Sequence, residues 1–269
     1  MTEPVAALPM HDWPELRGAT DALWAVLRDA LRGRGIPAPE VLTRSEDHEA
    51  AWLHPGLVLA QTCGLPFVQR LEGRVTLLGA PDQAVPGCPP GWYRSAVVVR
   101  AGDPREELAS FRGAAFALNG WGSQSGYAAM LHHLAPLTEQ GRFFGTTVLT
   151  GAHADSALTV ARGAADIAAL DHVSWRFIQR FVPEAAGLRV LLLTEPTPGL
   201  PYIAAQGTEP GRHRGAIAEA VSALDPASAE ALGLAGFVAF EPADYALLRE
   251  RLAAAEARVR LPAARARPG

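Results

Sequence analysis

Short apolar segments alternate along this chain with segments in which apolar residues recur every three or four positions. Runs of four to seven mainly apolar residues predict β-strands. The runs lie at 5–8, 57–62, 75–79, 95–101, 114–119, 146–149, 166–170 and 189–193. Helical periodicity predicts a first helix with Leu23, Leu27 and Leu31 on one face, and further helices over 103–111, from about 126, over 154–163 and over 173–181. Strand–helix alternation indicates an α/β protein whose mostly parallel sheets are flanked by helices.

Two proline-rich stretches divide the chain. They cover residues 81–93 and 194–202 and bracket a block of the size of one domain. We therefore expect a lobe inserted into another lobe: residues 1–93 and 196–269 form lobe 1, and residues 94–195 form lobe 2. The two connecting stretches would act as a hinge.

Composition narrows the function classes. The chain has 269 residues, of which 49% are hydrophobic, and a net charge of −4, and it contains arginine but no lysine. Without a basic excess, nucleic-acid binding is not expected, and no apolar run is long enough to span a membrane. No basic segment followed by a long apolar run opens the sequence, which predicts a cytoplasmic protein; a periplasmic chain already freed of its signal would look the same.

Catalytic and metal motifs are not recognised. Cys63 and Cys88 could form one disulfide or remain two buried thiols. The spacings typical of zinc ligands do not occur. A nucleophile elbow needs a serine centred between two glycines, but Gln124 holds that place between Gly122 and Gly126. We expect a protein that is not an enzyme, with no catalytic residue, cofactor or metal.

The segment 119–130, NGWGSQSGYAAM, has two interpretations. Ser123 could simply cap a helix. Alternatively, the helix start could seat an anion, because unpaired N–H groups and the helix dipole attract negative charge there. Ser123 and Ser125 would add hydroxyl donors, and Gly126 would let the backbone come close.

Two more loops follow predicted parallel strands, and such loops converge at one edge of a sheet. One brings His153 and the other brings Asp171. Each has a simpler interpretation as well: His153 as an exposed helix residue, and Asp171 as a helix cap.

The run from Tyr93 to Trp175, with YRSAVVVRAGDP, LNGWGSQSGY and TGAHADSALTV, resembles the phosphate/phosphite/phosphonate ABC-transporter substrate-binding proteins. The resemblance extends more loosely over residues 5–220. It implies the type 2 periplasmic-binding-protein fold, with a cleft between two lobes. The ligand-binding residues that it implies are Ser123, Gln124, Ser125, Gly126, His153, Asp171 and Tyr93, with Met10, His11, Gln61 and Thr62 from the other lobe.

Three departures from that family concern the ligand. Gln124 stands where threonine is common, Asp171 replaces a glutamate, and a later polar loop has become PTPGLP. The resemblance implies a solute-binding protein for a small oxyanion or zwitterion of phosphonate or phosphate type. Its partner would be an ABC permease or an unknown cytoplasmic protein. The alternative is a cytoplasmic enzyme or sensor on the same fold, acting on a small heterocyclic or anionic metabolite.

Overall fold

The computed structural model describes residues 2–138 and 141–266. Contacts divide the chain into two compact units. Unit 1 comprises Met1–Trp92 and Pro198–Ala246, and unit 2 comprises Tyr93–Thr197 and Leu247–Gly269. The division differs from the predicted lobes at the C-terminal end, since residues 247–269 were expected in lobe 1.

Unit 1 is built on a five-stranded mixed sheet in the order β1-β2-β11-β3-β12. Its strands are β1 (Val5–Ala7), β2 (Leu57–Gln61), β3 (Val75–Asp82), β11 (Tyr202–Ala205) and β12 (Gly236–Val238). Its helices are α1 (Arg17–Gly33), α2 (His48–Trp52), α3 (Gly64–Pro66, continued by a π-helical turn Phe67–Leu71), α7 (Pro210–Ala223) and α8 (Pro226–Leu232).

Strand direction in unit 1 is only partly parallel. β1 and β2 run parallel, whereas β11 pairs antiparallel with both β2 and β3, and β12 pairs antiparallel with β3. The apolar face predicted for α1 lies in the core of unit 1, where Leu27 and Leu31 are fully buried. Ile217 of α7 is fully buried as well. The predicted preference for parallel strands therefore does not hold within this sheet.

Unit 2 carries a six-stranded sheet in the order β13-β7-β6-β8-β5-β9. Its strands are β5 (Ser95–Arg100), β6 (Ala115–Leu118), β7 (Thr146–Leu149), β8 (Ile167–Asp171), β9 (Leu188–Leu193) and β13 (Ala264–Ala266). Its helices are a π-helical turn (Gln124–Ala128) continued by α4 (Ala129–Leu134), then α5 (His153–Ala161), α6 (His172–Phe181) and α9 (Ala246–Glu256).

Parallel pairing dominates the middle of the unit 2 sheet. β6 runs parallel to β7 and to β8, and β13 runs parallel to β7. β5 is antiparallel to β8 and β9. The valines 97–99 of β5 are fully buried, as expected for an interior strand covered on both faces.

The C-terminal residues join unit 2 through contacts that are distant in sequence. β13 pairs with β7. The Tyr127 hydroxyl donates a hydrogen bond of 2.9 Å to Glu256, and Arg251 donates to the Pro196 carbonyl at 2.9 Å. Such pairings leave no local sequence signal, which explains why the contact-based division differs from the predicted lobes there.

Two short strands mark the places where the chain passes between the units. β4 (Trp92–Tyr93) pairs with β10 (Thr197–Pro198). Both places fall within or beside the proline-rich stretches that were predicted to connect the lobes.

One predicted helix is wrong. Over 103–111 only Leu108–Phe111 is helical, as a single 3₁₀ turn. The Asp103 carboxylate instead accepts hydrogen bonds from the Arg105 backbone N–H and guanidinium, and this local bonding competes with a helix start. These contacts also lower the Asp103 pKa to about 2, mainly through the Arg105 side chain.

Cys63 and Cys88 are not joined by a disulfide and both are partly exposed, so the disulfide alternative is not realised. Within residues 2–138 and 141–266, no helix combines the length and the apolar character needed to cross a bilayer.

Candidate functional site

The predicted site residues of unit 2 lie at one edge of its sheet. β6, β7 and β8 are parallel neighbours and end at Leu118, Leu149 and Asp171. The carboxyl ends of parallel strands share an edge. Consequently the loops that carry the serines and His153 emerge beside Asp171.

Ser123 begins the helical turn that follows β6. Its backbone is extended, and its Oγ accepts a hydrogen bond of 2.9 Å from the Gly126 N–H. The helix-cap interpretation is therefore correct for Ser123. The first turn that it caps is π-helical rather than α-helical, since the Ser123 carbonyl accepts from both Tyr127 and Ala128 at 3.1 Å.

Ser125 links this turn to α5. Its Oγ lies 3.0 Å from Nε2 of His153, the first residue of α5. The Oγ atoms of Ser123 and Ser125 are 3.5 Å apart. All of Ser123, Gln124, Ser125 and Gly126 are buried, while His153 is half-buried. We call Ser123, Ser125 and His153 the seat.

Asn119 is a seat neighbour that sequence reasoning missed. Its Nδ2 lies 3.5 Å from His153 Nε2. Its Oδ1 would stand 1.8 Å from a Cβ added at Gly126. Gly126 is therefore required because the Asn119 side chain lies directly against its backbone, and this pairing of a post-strand asparagine with a helix-start glycine is the signal that could have indicated Asn119.

Asp171 is the last residue of β8 and is 3% exposed. Its Oδ1 accepts a hydrogen bond of 2.7 Å from the Ser174 N–H, so it caps α6. Burial lowers the pKa of the half-buried Arg176, and the negative charge of Asp171 opposes that shift. The cap interpretation is thus realised, and the carboxylate has a cationic neighbour on the helix that it caps.

Burial governs the ionisation of the next residue, His172. Its pKa is lowered, first by burial and then by the positive charge of Arg176, with Asp171 opposing both. Tyr93, in β4, is 3% exposed. Its role in ligand binding stays a prediction.

In unit 1, two of the four predicted residues line one cavity of about 40 Å³. His11 and Gln61 are both buried, and the His11 Nδ1 lies 3.4 Å from Gln83 Nε2. Gln61 faces Tyr202 across the antiparallel pair β2–β11. Gln83 and Tyr202, which also line the cavity, were not predicted.

The other two unit 1 residues are placed differently. Thr62 is fully buried, and its N–H donates to the Pro201 carbonyl at 3.0 Å. Met10 is half-buried in the turn after β1. Neither lines the cavity around His11 and Gln61.

The donors of the seat are hydroxyls, an imidazole and backbone amides. Such neutral groups bind oxyanions at helix starts. No cluster of three or more His, Cys, Asp or Glu side chains within residues 2–138 and 141–266 is placed to hold a metal ion.

Comparison with known proteins gives one family and a set of similar folds. A family model described as "ABC transporter, phosphonate, periplasmic substrate-binding protein" matches residues 5–247. No curated protein matches the sequence.

Solved structures similar to this chain include XAC2383 from Xanthomonas citri bound to chloride, with a TM-score of 0.70 at 19% identity over 94% of this chain and 97% of that one. PhnD1 from Prochlorococcus marinus in complex with methylphosphonate has a TM-score of 0.69 at 15% identity, with 92% and 96% covered. A binding-protein component of an ABC phosphonate transporter from Pseudomonas aeruginosa has a TM-score of 0.68 at 14% identity, with 93% and 86% covered. These similarities confirm the predicted two-lobed α/β fold.

Proposed function

This chain belongs to the family of periplasmic substrate-binding proteins of phosphonate ABC transporters, and on that premise we propose that its seat binds the oxyanion end of a small phosphonate-type ligand. The observation that carries the proposal is the 3.0 Å contact between Ser125 Oγ and His153 Nε2. It joins the helix starts that follow β6 and β7 at one point.

The chemistry of these donors suits an oxyanion. Hydroxyls and backbone N–H groups at a helix start donate to anionic oxygens without a formal cation. An imidazole can do the same from either nitrogen, and it donates from both when protonated. We expect Gln124 and Gly126, buried within the same turn, to contact the ligand as well.

Asp171 directs the choice among oxyanions. A carboxylate beside a fully ionised phosphate is repulsive, whereas it favours a ligand that also carries a donor. Capping at Oδ1 uses only part of the acceptor capacity of a carboxylate. We propose a ligand with an ammonium group or an acidic P–OH, such as an aminophosphonate.

The similar structures support an anionic ligand but do not indicate which anion this chain binds. PhnD1 was solved with methylphosphonate, and XAC2383 with chloride and, in another structure, with ATP. One fold therefore accommodates different anions, and the side chains of the individual protein determine which of them binds.

Titration calorimetry tests the proposal. The wild-type protein should bind 2-aminoethylphosphonate and methylphosphonate, and Ser125→Ala should weaken both about 10- to 150-fold, because a hydrogen bond to a charged group contributes about 1.5–3 kcal/mol. Ser222→Ala is the matched control, because it removes an exposed hydroxyl of α7 that donates to the Ala218 carbonyl within its own helix at 2.9 Å. Wild-type protein that binds none of these oxyanions at millimolar concentration would refute the proposal.

The proposal includes a partner and a compartment. A substrate-binding component delivers its ligand to an ABC permease, and we propose that partner, outside the cytoplasmic membrane, over a cytoplasmic one. It also implies that the ligand is not consumed. Phosphorus NMR of ligand incubated with the protein should show an unchanged spectrum; a new phosphorus signal would favour the enzyme alternative.

A further inference from the structure

Ser95 is a polar residue at the start of an otherwise apolar buried strand. It opens β5, is 1% exposed, and lies opposite Asp171 in the β5–β8 pair. The residues that follow it, 96–99, are fully buried apolar residues. A buried hydroxyl is costly unless it is hydrogen-bonded, so its partners indicate what it does.

The Ser95 hydroxyl bonds to the seat. Its Oγ donates a hydrogen bond of 2.9 Å to the Ser125 carbonyl. Ser125 is the residue whose own Oγ reaches His153. The Ser95 side chain therefore holds the backbone of the seat from the direction of the strand β5.

The Ser95 backbone bonds to Thr194. The Ser95 N–H donates to Thr194 Oγ1 at 2.8 Å, and the Thr194 N–H donates to the Ser95 carbonyl at 2.9 Å. Thr194 is 2% exposed and follows β9. This reciprocal pair fixes the end of β9 to the start of β5.

The residue after Thr194 is held as well. The Glu195 N–H donates to His133 Nε2 of α4 at 3.0 Å, and its carboxylate lies 3.1 Å from the Arg251 guanidinium. The backbone that follows β9 is therefore held in place by hydrogen bonds and an ion pair. The segment that starts there is anchored on α4 and α9, and it offers Ser95 a fixed support.

We infer that Ser95 and Thr194 form a positioning pair that sets the place of Ser125 in the seat. Among the described residues, the hydrogen bond from the pair to the seat goes to the Ser125 carbonyl, so the pair acts on ligand binding through geometry. That part of the inference rests on the proposed function. The effect on the π-helical turn does not, because it concerns the ligand-free protein.

Two variants break the pair at different points. Ser95→Ala removes the donor to the Ser125 carbonyl. Thr194→Val keeps the shape of the side chain but removes the acceptor of the Ser95 N–H. Thr159→Val is the matched control, because it removes another buried hydroxyl of unit 2, one that bonds the Asp155 carbonyl within α5 at 2.6 Å.

The first readout is amide hydrogen exchange in ligand-free protein. We expect the amides of residues 126–129 to exchange about fivefold faster in Ser95→Ala and Thr194→Val, a ratio equivalent to one hydrogen bond of ordinary strength. Amides of α6 should keep their wild-type rates, and Thr159→Val should leave residues 126–129 unchanged. Equal acceleration of α6 and of the turn would mean general destabilisation and would overturn the inference.

The second readout is methylphosphonate affinity. Each variant should lose about fivefold, and the double variant should lose less than the product of the two, because both act through one contact chain. Multiplicative losses, or affinities equal to that of Thr159→Val, would contradict the inference. If Ser95→Ala does not fold, Thr194→Val alone decides. If the wild-type protein binds no oxyanion, the proposed function is refuted. The hydrogen-exchange experiment still tests whether Ser95 and Thr194 position Ser125, because it uses ligand-free protein.

Discussion

The seat of unit 2 and the cavity of unit 1 differ in how strand direction gathers their residues. In unit 2, parallel strands end together, so residues that follow β6 and β7 meet, as Ser125 and His153 do. In unit 1, β2 and β11 are antiparallel, so the end of one strand, Gln61, faces the beginning of another, Tyr202. Residues at the ends of predicted strands therefore include the members of a site between parallel strands. In a site between antiparallel strands, they leave out the residues that begin the partner strand, such as Tyr202.

The largest effect is expected from Gly126→Ala in the seat. The new Cβ would meet Asn119 Oδ1 at 1.8 Å, and such overpacking costs about 1–3 kcal/mol, although alanine favours a helix by up to about 1 kcal/mol. Urea denaturation should show the loss of stability, and calorimetry should show loss of methylphosphonate binding. Gly122→Ala, with no atom within 4 Å of its added Cβ, is the control; equal behaviour of the two variants would show that the Asn119–Gly126 contact is unimportant.

Asp171→Asn should separate two ligands. Asparagine caps helices as well as aspartate does, so stability should change little. Binding of 2-aminoethylphosphonate should fall about tenfold, because a charge-assisted bond is lost, while methylphosphonate should bind equally well or better. A parallel loss for both ligands in calorimetry would restrict Asp171 to its role as the cap of α6.

Acid should destabilise unit 1 through the buried His213, and unit 2 through the half-buried His133 together with His172. Burial is the main cause that lowers the pKa of His133 in unit 2 and of His213 in unit 1, and His132 and Arg251 lower that of His133 further. A lowered pKa means that the unfolded chain takes up the proton first, so this stability is complete above the unfolded pKa of about 6.5 and is lost as the pH falls below it. One histidine contributes a slope of at most about 1.4 kcal/mol per pH unit.

Glutamine substitutions show which histidine causes the pH dependence of stability in each unit. His133→Gln keeps an acceptor for the Glu195 N–H and does not titrate. We expect it to slow the acid-induced rise of hydrogen exchange in unit 2 only, and His213→Gln to do so in unit 1 only. Identical pH profiles for wild type and both variants between pH 7.5 and 5 would show that neither histidine is responsible.

The smallest effect is expected from Tyr202→Phe in unit 1. Its cavity of about 40 Å³ has room for about three water molecules, and removing one hydroxyl from its lining should cost about 1 kcal/mol of stability. Methylphosphonate affinity should change less than threefold, against the much larger loss for Ser125→Ala. A tenfold loss for Tyr202→Phe would instead make this cavity part of the ligand site.

The local pattern predicted most of the elements, and what it missed has one local cause and several long-range ones. The apolar runs at 57–62, 95–101 and 146–149 became β2, β5 and β7. The helix predicted over 103–111 failed because side chains two residues apart bond each other. The roles of Asn119 and Ser95 depend on partners 34 and 30 residues away, which no local periodicity encodes.

The position of β9 at the end of the unit 2 sheet has a practical consequence for handling the protein. β9 is an edge strand, and two of its apolar side chains are exposed: Val190 by 38% and Leu193 by 39%. Exposed apolar edge strands recruit other strands, so we expect concentrated solutions to aggregate through this edge. Val190→Lys would place a charged gatekeeper there and should raise the solubility limit, making crystallisation and NMR at high concentration practicable.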